Sequence, residues 1–463
     1  MITYHHADGV KPDTLHGRPA LALPREGRVA VDDDVLRLWT LANGRTLPAI
    51  LEESAAASSK DATFVRAALA CLAEGGLLER RDAGQRVLLQ ASELPPSTGP
   101  SVSAVVITHT TQWLEGCLGS LVSQRYSPLD VILVDNFSKD NVPAWVAERF
   151  PGVRVIRLPD GKTFAQAVNT GVAASNGTYV AILNPDIELD PDAIAECVRV
   201  AEADPEAAAV AAKLMFWWAP SFLNGIGNRV DERSWGTDNF IGHLDLGQFD
   251  SLKEVPSVCF AATLVRRTAW DAIGPADEAF PLYYEDAEWS YRARLLGYRT
   301  IAAPRAVVRH VFGYKVRGGE ESDLTPRKLA MAAYGRLRFT LKLFSGPLRR
   351  LFVRNYLAED RANAAAFARA GNWAGVRAYA TAWRRIAGQL AAIRQENRRL
   401  QAAARVGTED LIAGQQQMAA GLLWSGVPDL SREVIESRYL PLLSGGLGRQ
   451  VPEFVTAGDP ASR

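Results

Sequence analysis

The stretch "LNPDIEL", Leu183 to Leu189, follows the apolar run "TYVAIL" and places one carboxylate, Asp186, at a strand end. Asp, Asn and Pro are ordinary turn formers, so a turn alone accounts for Asn184, Pro185 and Asp186. A carboxylate at such a place can also hold something. A second acidic pair, Glu285 and Asp286 in "YYEDAEWSYRARLLGYR", opens a helical pattern. Acids in a first turn suit the helix macrodipole, so capping is a sufficient reason for them. "RAVVRH" ends in His310, a lone histidine after a strand. Each has a plain structural reading; a fold that brings them to one rim would favour chemistry.

The elements between them predict such a rim. "VSAVVIT", "DVILVDN", "VRVIRLP" and "TYVAILN" read as buried strands. "TQWLEGCLGSLVSQ", "VPAWVAERF" and "FAQAVNTGVAAS" read as helices between them. This alternation implies an α/β domain, a mostly parallel sheet with helices on its faces. Ligands of such sheets bind beyond the carboxyl ends of the strands. The ends here are polar: Thr108 and His109, Asp135 and Asn136, Asn184 and Asp186. Further on, "YRTIAAPRAVVRH" reads as a strand, a proline break and a second strand ending in His310.

The 463 residues allow two or three domains. Lys and Arg number 52 against 52 Asp and Glu, a net charge of +0, so no global basic excess points to nucleic acid. Four scattered cysteines show neither metal spacing nor a disulfide framework, which predicts a reducing cytoplasm. The N-terminus has no apolar signal core, and no run reaches the ~18 apolar residues of a transmembrane helix. "ASELPPSTGPS" reads as a linker. Before it, residues 1–94 show helix, helix, helix and a hairpin made of "LLERR" and "QRVLLQ", a small winged-helix-like domain. It lacks a dense basic helix and suits acceptor recognition, packing or dimerisation. Residues 101–326 form the α/β domain, and residues 327–463 a helical region. There Arg349, Arg350 and Arg354 beside Leu351, Phe352 and Tyr356 suit either a packed helix or an anionic membrane surface.

The ordered set "VVIT", "VDNFSKD", "AVNTGV", "LNPD", "YYEDAEWSYRARLLGYR" and "RAVVRH" resembles family 2 glycosyltransferases, inverting nucleotide-sugar enzymes of the GT-A fold. Rhamnosyltransferase-like and galactofuranosyltransferase-like members look closest. The resemblance spans about half the chain, from Ser101 to Gly313. It implies a hexosyltransferase of polysaccharide or cell-wall biosynthesis that takes a UDP- or dTDP-sugar. The acceptor would be a glycan, a lipid-linked molecule or a peptide. A non-catalytic nucleotide-sugar binder is the contrasting class, and the presence of Asp186, Asp286 and His310 argues against it.

The resemblance also implies roles. Asp186 matches the metal-binding position and His310 a second ligand, for Mg²⁺ or Mn²⁺. Asn184 stands where many relatives have Asp, which would loosen metal dependence. Asp286 matches the general base, with Glu285 supporting it and Glu288 a weaker candidate. Asp135 would contact the nucleotide base, with Thr108 lining the same pocket. Asn169, with Gly171 allowing close approach, would face the ribose or diphosphate. Trp217, Trp218 and Trp235 could stack on sugars or pack internally. A cytoplasmic location, peripheral contact with the inner face of a membrane and a homo-oligomer are compatible with this reading.

Overall fold

A computed structural model describes residues 2–440, apart from 16, 24–27, 55–58, 83–96, 218–219, 221, 231–234, 246–248, 313–324 and 413–428. The chain opens with strands β1 (Ile2–His6), β2 (Lys11–Leu15), β3 (Arg18–Ala22) and β4 (Arg28–Ala30). Helix α1 (Asp33–Ala42), strand β5 (Arg45–Thr46), helices α2 (Leu47–Glu53) and α3 (Ser59–Glu74), and strand β6 (Leu78–Asp82) follow. Asp32 caps α1 by accepting from the Val35 N–H at 3.0 Å, and Pro48 sits in the first turn of α2. The three helices of the sequence reading are present, and the return strand "QRVLLQ" lies outside the described residues. The partner of β6 among the described residues is instead β1, antiparallel along its whole length. Strands β2, β3 and β4 form a separate meander. The N-terminal core extends beyond its own segment: Phe216, Phe222, Leu244, Leu430, Ile435 and Tyr439 pack into it.

The second unit begins with β7 (Ser97–Thr108), four residues earlier than the linker reading placed it. Then come α4 (Leu114–Val122), β8 (Tyr126–Asp135), α5 (Val142–Arg149), β9 (Arg154–Arg157), α6 (Phe164–Ala173), β10 (Tyr179–Leu183) and β11 (Ile187–Leu189). They are followed by α7 (Ala193–Ala203), β12 (Ala207–Phe216), β13 (Leu223–Ile226), β14 (Asn228–Val230), β15 (Gly236–Asp238) and β16 (Ala262–Arg266). Helices α8 (Arg267–Ile273) and α9 (Glu285–Leu295) and strand β17 (Arg299–His310) complete it. The main sheet has the order β11-β17-β12-β16-β10-β7-β8-β9, with β13 beside β12.

Pairing is parallel among β10, β7, β8 and β9 and between β12 and β17. Strand β16 runs antiparallel to both of its neighbours. Six strands therefore point the same way, and their carboxyl ends share one rim. Register levels those ends: Thr108 lies opposite Asp135, and Phe216 opposite His310. β17 is one strand, not two; the Pro304 break is a bulge, where the partner of Lys213 skips from Ala303 to Val307. Apolar side chains cover both faces of the sheet, Val106, Leu133 and Leu264 on one, Val105, Val134 and Val180 on the other.

Helices α10 (Pro326–Leu343), α11 (Gly346–Arg369) and α12 (Trp373–Ala403) follow, then α13 (Arg432–Val434) and a π turn over Ile435–Tyr439. Phe352 and Tyr356 are fully buried with Tyr291 and Phe344, so the packed-helix reading of that stripe is the one observed. An apolar stripe looks the same in sequence whether protein or lipid covers it. Trp235 also packs internally: its indole donates to Glu359 at 2.8 Å, and the Arg336 guanidinium stacks on its ring at 3.8 Å.

Candidate active site

Asp186 follows β10 and immediately precedes β11, which pairs antiparallel with the end of β17. The Val311 N–H donates to the Asp186 carbonyl at 3.0 Å, so the backbone itself locks the two segments together. The result sets Asp186 Oδ1 3.3 Å from His310 Nε2. Burial pushes the Asp186 carboxyl up, but the hydrogen bond and charge of His310 outweigh it and hold the group below its ordinary value. The other imidazole nitrogen, Nδ1, lies 2.6 Å from Asn224 Oδ1. Asn224 in turn donates from Nδ2 to Asp238 at 3.1 Å. An amide that donates to a carboxylate presents its oxygen to the histidine, so Nδ1 donates to Asn224 and Nε2 is the nitrogen that faces Asp186.

This pair fits a shared divalent ion. Adjacent ligands at first-shell distances of ~2.0–2.3 Å sit roughly 3 Å apart on an octahedron, close to the 3.3 Å observed. The orienting carboxamide behind His310 is the usual kind of support for a metal-bound imidazole. Among the described residues no group of three or more His, Cys, Asp or Glu forms a metal cage. Two protein ligands, with the rest from substrate and water, is a normal set for Mg²⁺.

The acidic pair stands at the start of α9. Tyr283 and Tyr284 both adopt left-handed backbone, φ 66° and 72°, unusual for aromatic residues, and this double turn aims Glu285 and Asp286. The turn is fixed from outside: the Gly236 N–H donates to the Tyr284 hydroxyl at 2.8 Å. Asp286 Oδ2 accepts from Asn228 Nδ2 at 2.9 Å and from the Phe260 N–H at 3.4 Å. Asn228 faces Asp238 across the β14–β15 hairpin, so one hairpin supports both the histidine and the acidic pair. Burial raises the Asp286 carboxyl above its ordinary value despite those hydrogen bonds. Glu285 is 7% exposed, and its Oε2 has no hydrogen-bond partner among the described residues. Burial, then repulsion from Asp286, pushes it up to about 8. Asp238 is pushed up to about 7 by burial, with His310 pulling it down and Asp286 pushing it up. Two buried acids this close disfavour each other's charge, so the pair holds a proton more readily than an isolated carboxylate does.

The remaining sequence candidates divide. Asp135 is fully buried at the rim; Oδ1 accepts from the Ser138 N–H at 2.9 Å and from its hydroxyl. Oδ2 has no hydrogen bond among the described residues and lies 3.7 Å from Arg157, so an acceptor remains available. Asn184 sits at the rim, its N–H bound to the Ala261 carbonyl at 2.9 Å. Thr108 turns its hydroxyl into the local turn, donating to the Thr110 carbonyl at 2.6 Å. The Asn169 side chain is taken up by a loop. Its NH₂ donates to the Ala276 carbonyl and Glu278, and its oxygen accepts from the Ala276 N–H, all within 3.0 Å. It clamps the loop that leads to Glu285. Gly171 is needed for packing: a Cβ there would lie 2.2 Å from Val105 Cγ1. Glu288 is no base, because Arg292 and Lys342 hold it, each at 2.9 Å. Trp217 packs beside Trp113 and the N-terminal core, and Trp218 lies outside the described residues. Asn224, Asn228 and Asp238 were not anticipated from sequence.

These features set a carboxylate–imidazole pair and a buried acid pair on one side of the sheet. Residues 103–272 match the model of glycosyl transferase family 2. The chain is 26% identical over 222 residues to the N-acetylglucosaminyl-diphospho-decaprenol L-rhamnosyltransferase of Mycobacterium tuberculosis, covering 42% of this chain and 71% of that one. It is 28% identical over 251 residues to the O-antigen biosynthesis protein RfbC of Myxococcus xanthus, covering 50% and 19%. Among solved structures, GalNAc-T7 with UDP, GalNAc and Mn²⁺ aligns with 63% of this chain and 57% of its own, at 14% identity and TM-score 0.45. Residues 103–272 thus carry a glycosyl transferase family 2 domain, set in the mostly parallel α/β sheet described above. Asp286 and His310 lie beyond the segment that the family model matches. Among the described residues no helix is long and apolar enough to cross a membrane.

Proposed function

We propose that this enzyme moves a sugar, with inversion, from a nucleoside-diphosphate donor to a hydroxyl of a lipid-linked or glycan acceptor. The observation that carries this reading is Asp286. It is a carboxylate raised in pKa, anchored by Asn228 and the Phe260 N–H, and joined through one hairpin to the Asp186–His310 pair. Asp286 takes the acceptor's hydroxyl proton while that oxygen bonds to the anomeric carbon. The bond from that carbon to the diphosphate oxygen breaks, and the nucleoside diphosphate leaves with the electron pair. A general base of this kind contributes about 10²–10⁴-fold. Glu285, holding its proton, keeps a second negative charge away from Asp286.

Asp186 and His310 Nε2 would hold Mg²⁺ or Mn²⁺, which supplies Lewis-acid neutralisation of the leaving diphosphate. The open Oδ2 of Asp135 would accept from the nucleotide base, with Asn184 at the ribose side. Residues 1–94, in this proposal, form a winged-helix-like unit that helps to select the acceptor. Its support is the packing of Phe216 and Phe222 into its core, directly behind the end of β12 that pairs with His310. The rhamnosyltransferase relative acts, by its name, on a diphospho-decaprenol acceptor, which supports a lipid-linked substrate and a peripheral place on a membrane. The test is incubation with UDP- and dTDP-sugars and a lipid-diphosphate sugar, with and without EDTA, and NMR of the product anomer. Cation-dependent transfer with inverted configuration is expected. Retention of configuration, or no turnover of any donor, would refute the reading.

A further inference from the structure

The helical region carries a charge that the chain total conceals. Residues 326–403 contain 16 Lys and Arg but only three Asp and Glu, a net charge of +13 in a chain of net charge +0. None of those three acids is exposed. Glu359 and Asp360 pair with Arg336, and Glu396 with Arg338. Outward-facing cations here therefore have no acid of their own helices beside them.

Between the first halves of α10 and α12 lies a groove of about 420 Å³. Its floor is apolar and aromatic, with Ala330, Met331, Tyr334 and Ala378, and its charged lining is Arg327, Arg377 and Arg385. Among the described residues no carboxylate lines it. Arg385 stands 4.0 Å over the Tyr334 ring, which holds one guanidinium at the groove. The groove adjoins the catalytic turn. Arg385 donates to the Ala279 carbonyl at 3.3 Å, in the loop clamped by Asn169. Gly335, next to Tyr334, is packed so closely that a Cβ there would lie 3.1 Å from the Tyr283 carbonyl, two residues before Glu285.

An apolar floor with guanidinium groups and no acid matches an anionic amphiphile. The volume falls in the range of small-molecule pockets, and planar guanidinium forks suit phosphate oxygens. We propose that this groove seats the diphosphate and the first isoprene units of a lipid-linked acceptor, so that its sugar reaches Asp286. This rests on the lipid-linked reading above and names the site for it.

The probe is farnesyl diphosphate, measured by calorimetry against inorganic diphosphate and farnesol. Two variants of the full chain are compared, Arg377→Gln/Arg385→Gln and Ala330→Phe, the second filling the floor and leaving the arginines. Wild type is expected to bind farnesyl diphosphate more tightly than either fragment. Each variant should weaken that binding about tenfold or more, as loss of charge-assisted contacts or of the cavity implies. Nucleotide affinity, set at the far strand ends around Asp135, should be unchanged in both. Equal binding by wild type and variants, or wild-type binding no tighter than to inorganic diphosphate, overturns the site. So does a defect confined to phosphatidylglycerol vesicles, which would make the patch a general membrane contact. Absence of donor hydrolysis in wild type would instead refute the transferase reading, whatever the probe does.

Discussion

Helix α9 carries two sets of buried acids, and they are treated in opposite ways. Glu288 is fully buried, but Arg292 and Lys342 face it at 2.9 Å. Burial pushes it up, yet those two cations pull it below its ordinary value. The same network takes in Asp277, which burial raises but Lys342 and Arg338 hold down to about 2. One turn earlier, Glu285 and Asp286 face no cation among the described residues, and both are raised. The neutralised set joins α9 to α10 and α12. The uncompensated set costs stability, which a fold keeps only where the groups are used. Adjacent residues of one type on one helix thus separate into structure and chemistry by their partners, not by their identity.

Removing the free acid should cost the most activity. Asp286→Asn is expected to lower transfer by about 10²–10⁴-fold while nucleotide affinity stays nearly unchanged, because the base is lost and its shape is kept. Turnover beside calorimetry of nucleotide binding checks this. Removing a cation from the paired set should act on folding instead. Lys342→Met leaves Glu288 and Asp277 short of charge and should destabilise by roughly 3–5 kcal/mol, read by urea unfolding. A loss of turnover without loss of stability would erase the contrast between the two sets.

The supports should give smaller effects. Asn224→Ala releases His310 Nδ1 and should weaken Mn²⁺ binding by about 10–100-fold, measured by titration of activity with the metal. The smallest change belongs to Glu285→Gln. The folded pKa of Glu285, about 8, lies above its ordinary 4.5, so its favourable contribution is full below pH 4.5 and is lost as pH rises through about 8. The variant should therefore melt higher than wild type at pH 9 and near it at pH 5, by circular dichroism.

Much of this was legible in sequence, for a physical reason. Parallel strands buried on both faces write continuous apolar runs, so β7, β8 and β10 and their polar ends stand out, and Asp186 with them. His310 could be placed because it closes the last such run. Asn224, Asn228 and Asp238 could not, since they sit on three short strands within "FLNGIGNRVDERSWGTDNF", which has no periodicity. The hold of Asn169 on a loop 107 residues away leaves no local signal in the sequence. The pairing of Glu288 is equally silent, since its partner Lys342 lies on another helix. The strands β1 to β4 stay hidden because segments of three to five residues are too short to carry a clear period.

The central claim is that Asp286, not Glu285, takes the proton. It is tested most directly by the pH dependence of kcat/KM for wild type and Glu285→Gln at saturating divalent cation. Both are expected to rise with pH through a midpoint above the ordinary aspartate value of about 4, and the variant should keep most of the wild-type rate. A Glu285→Gln enzyme that has lost both the rise and the rate would place the base on Glu285 and contradict the assignment.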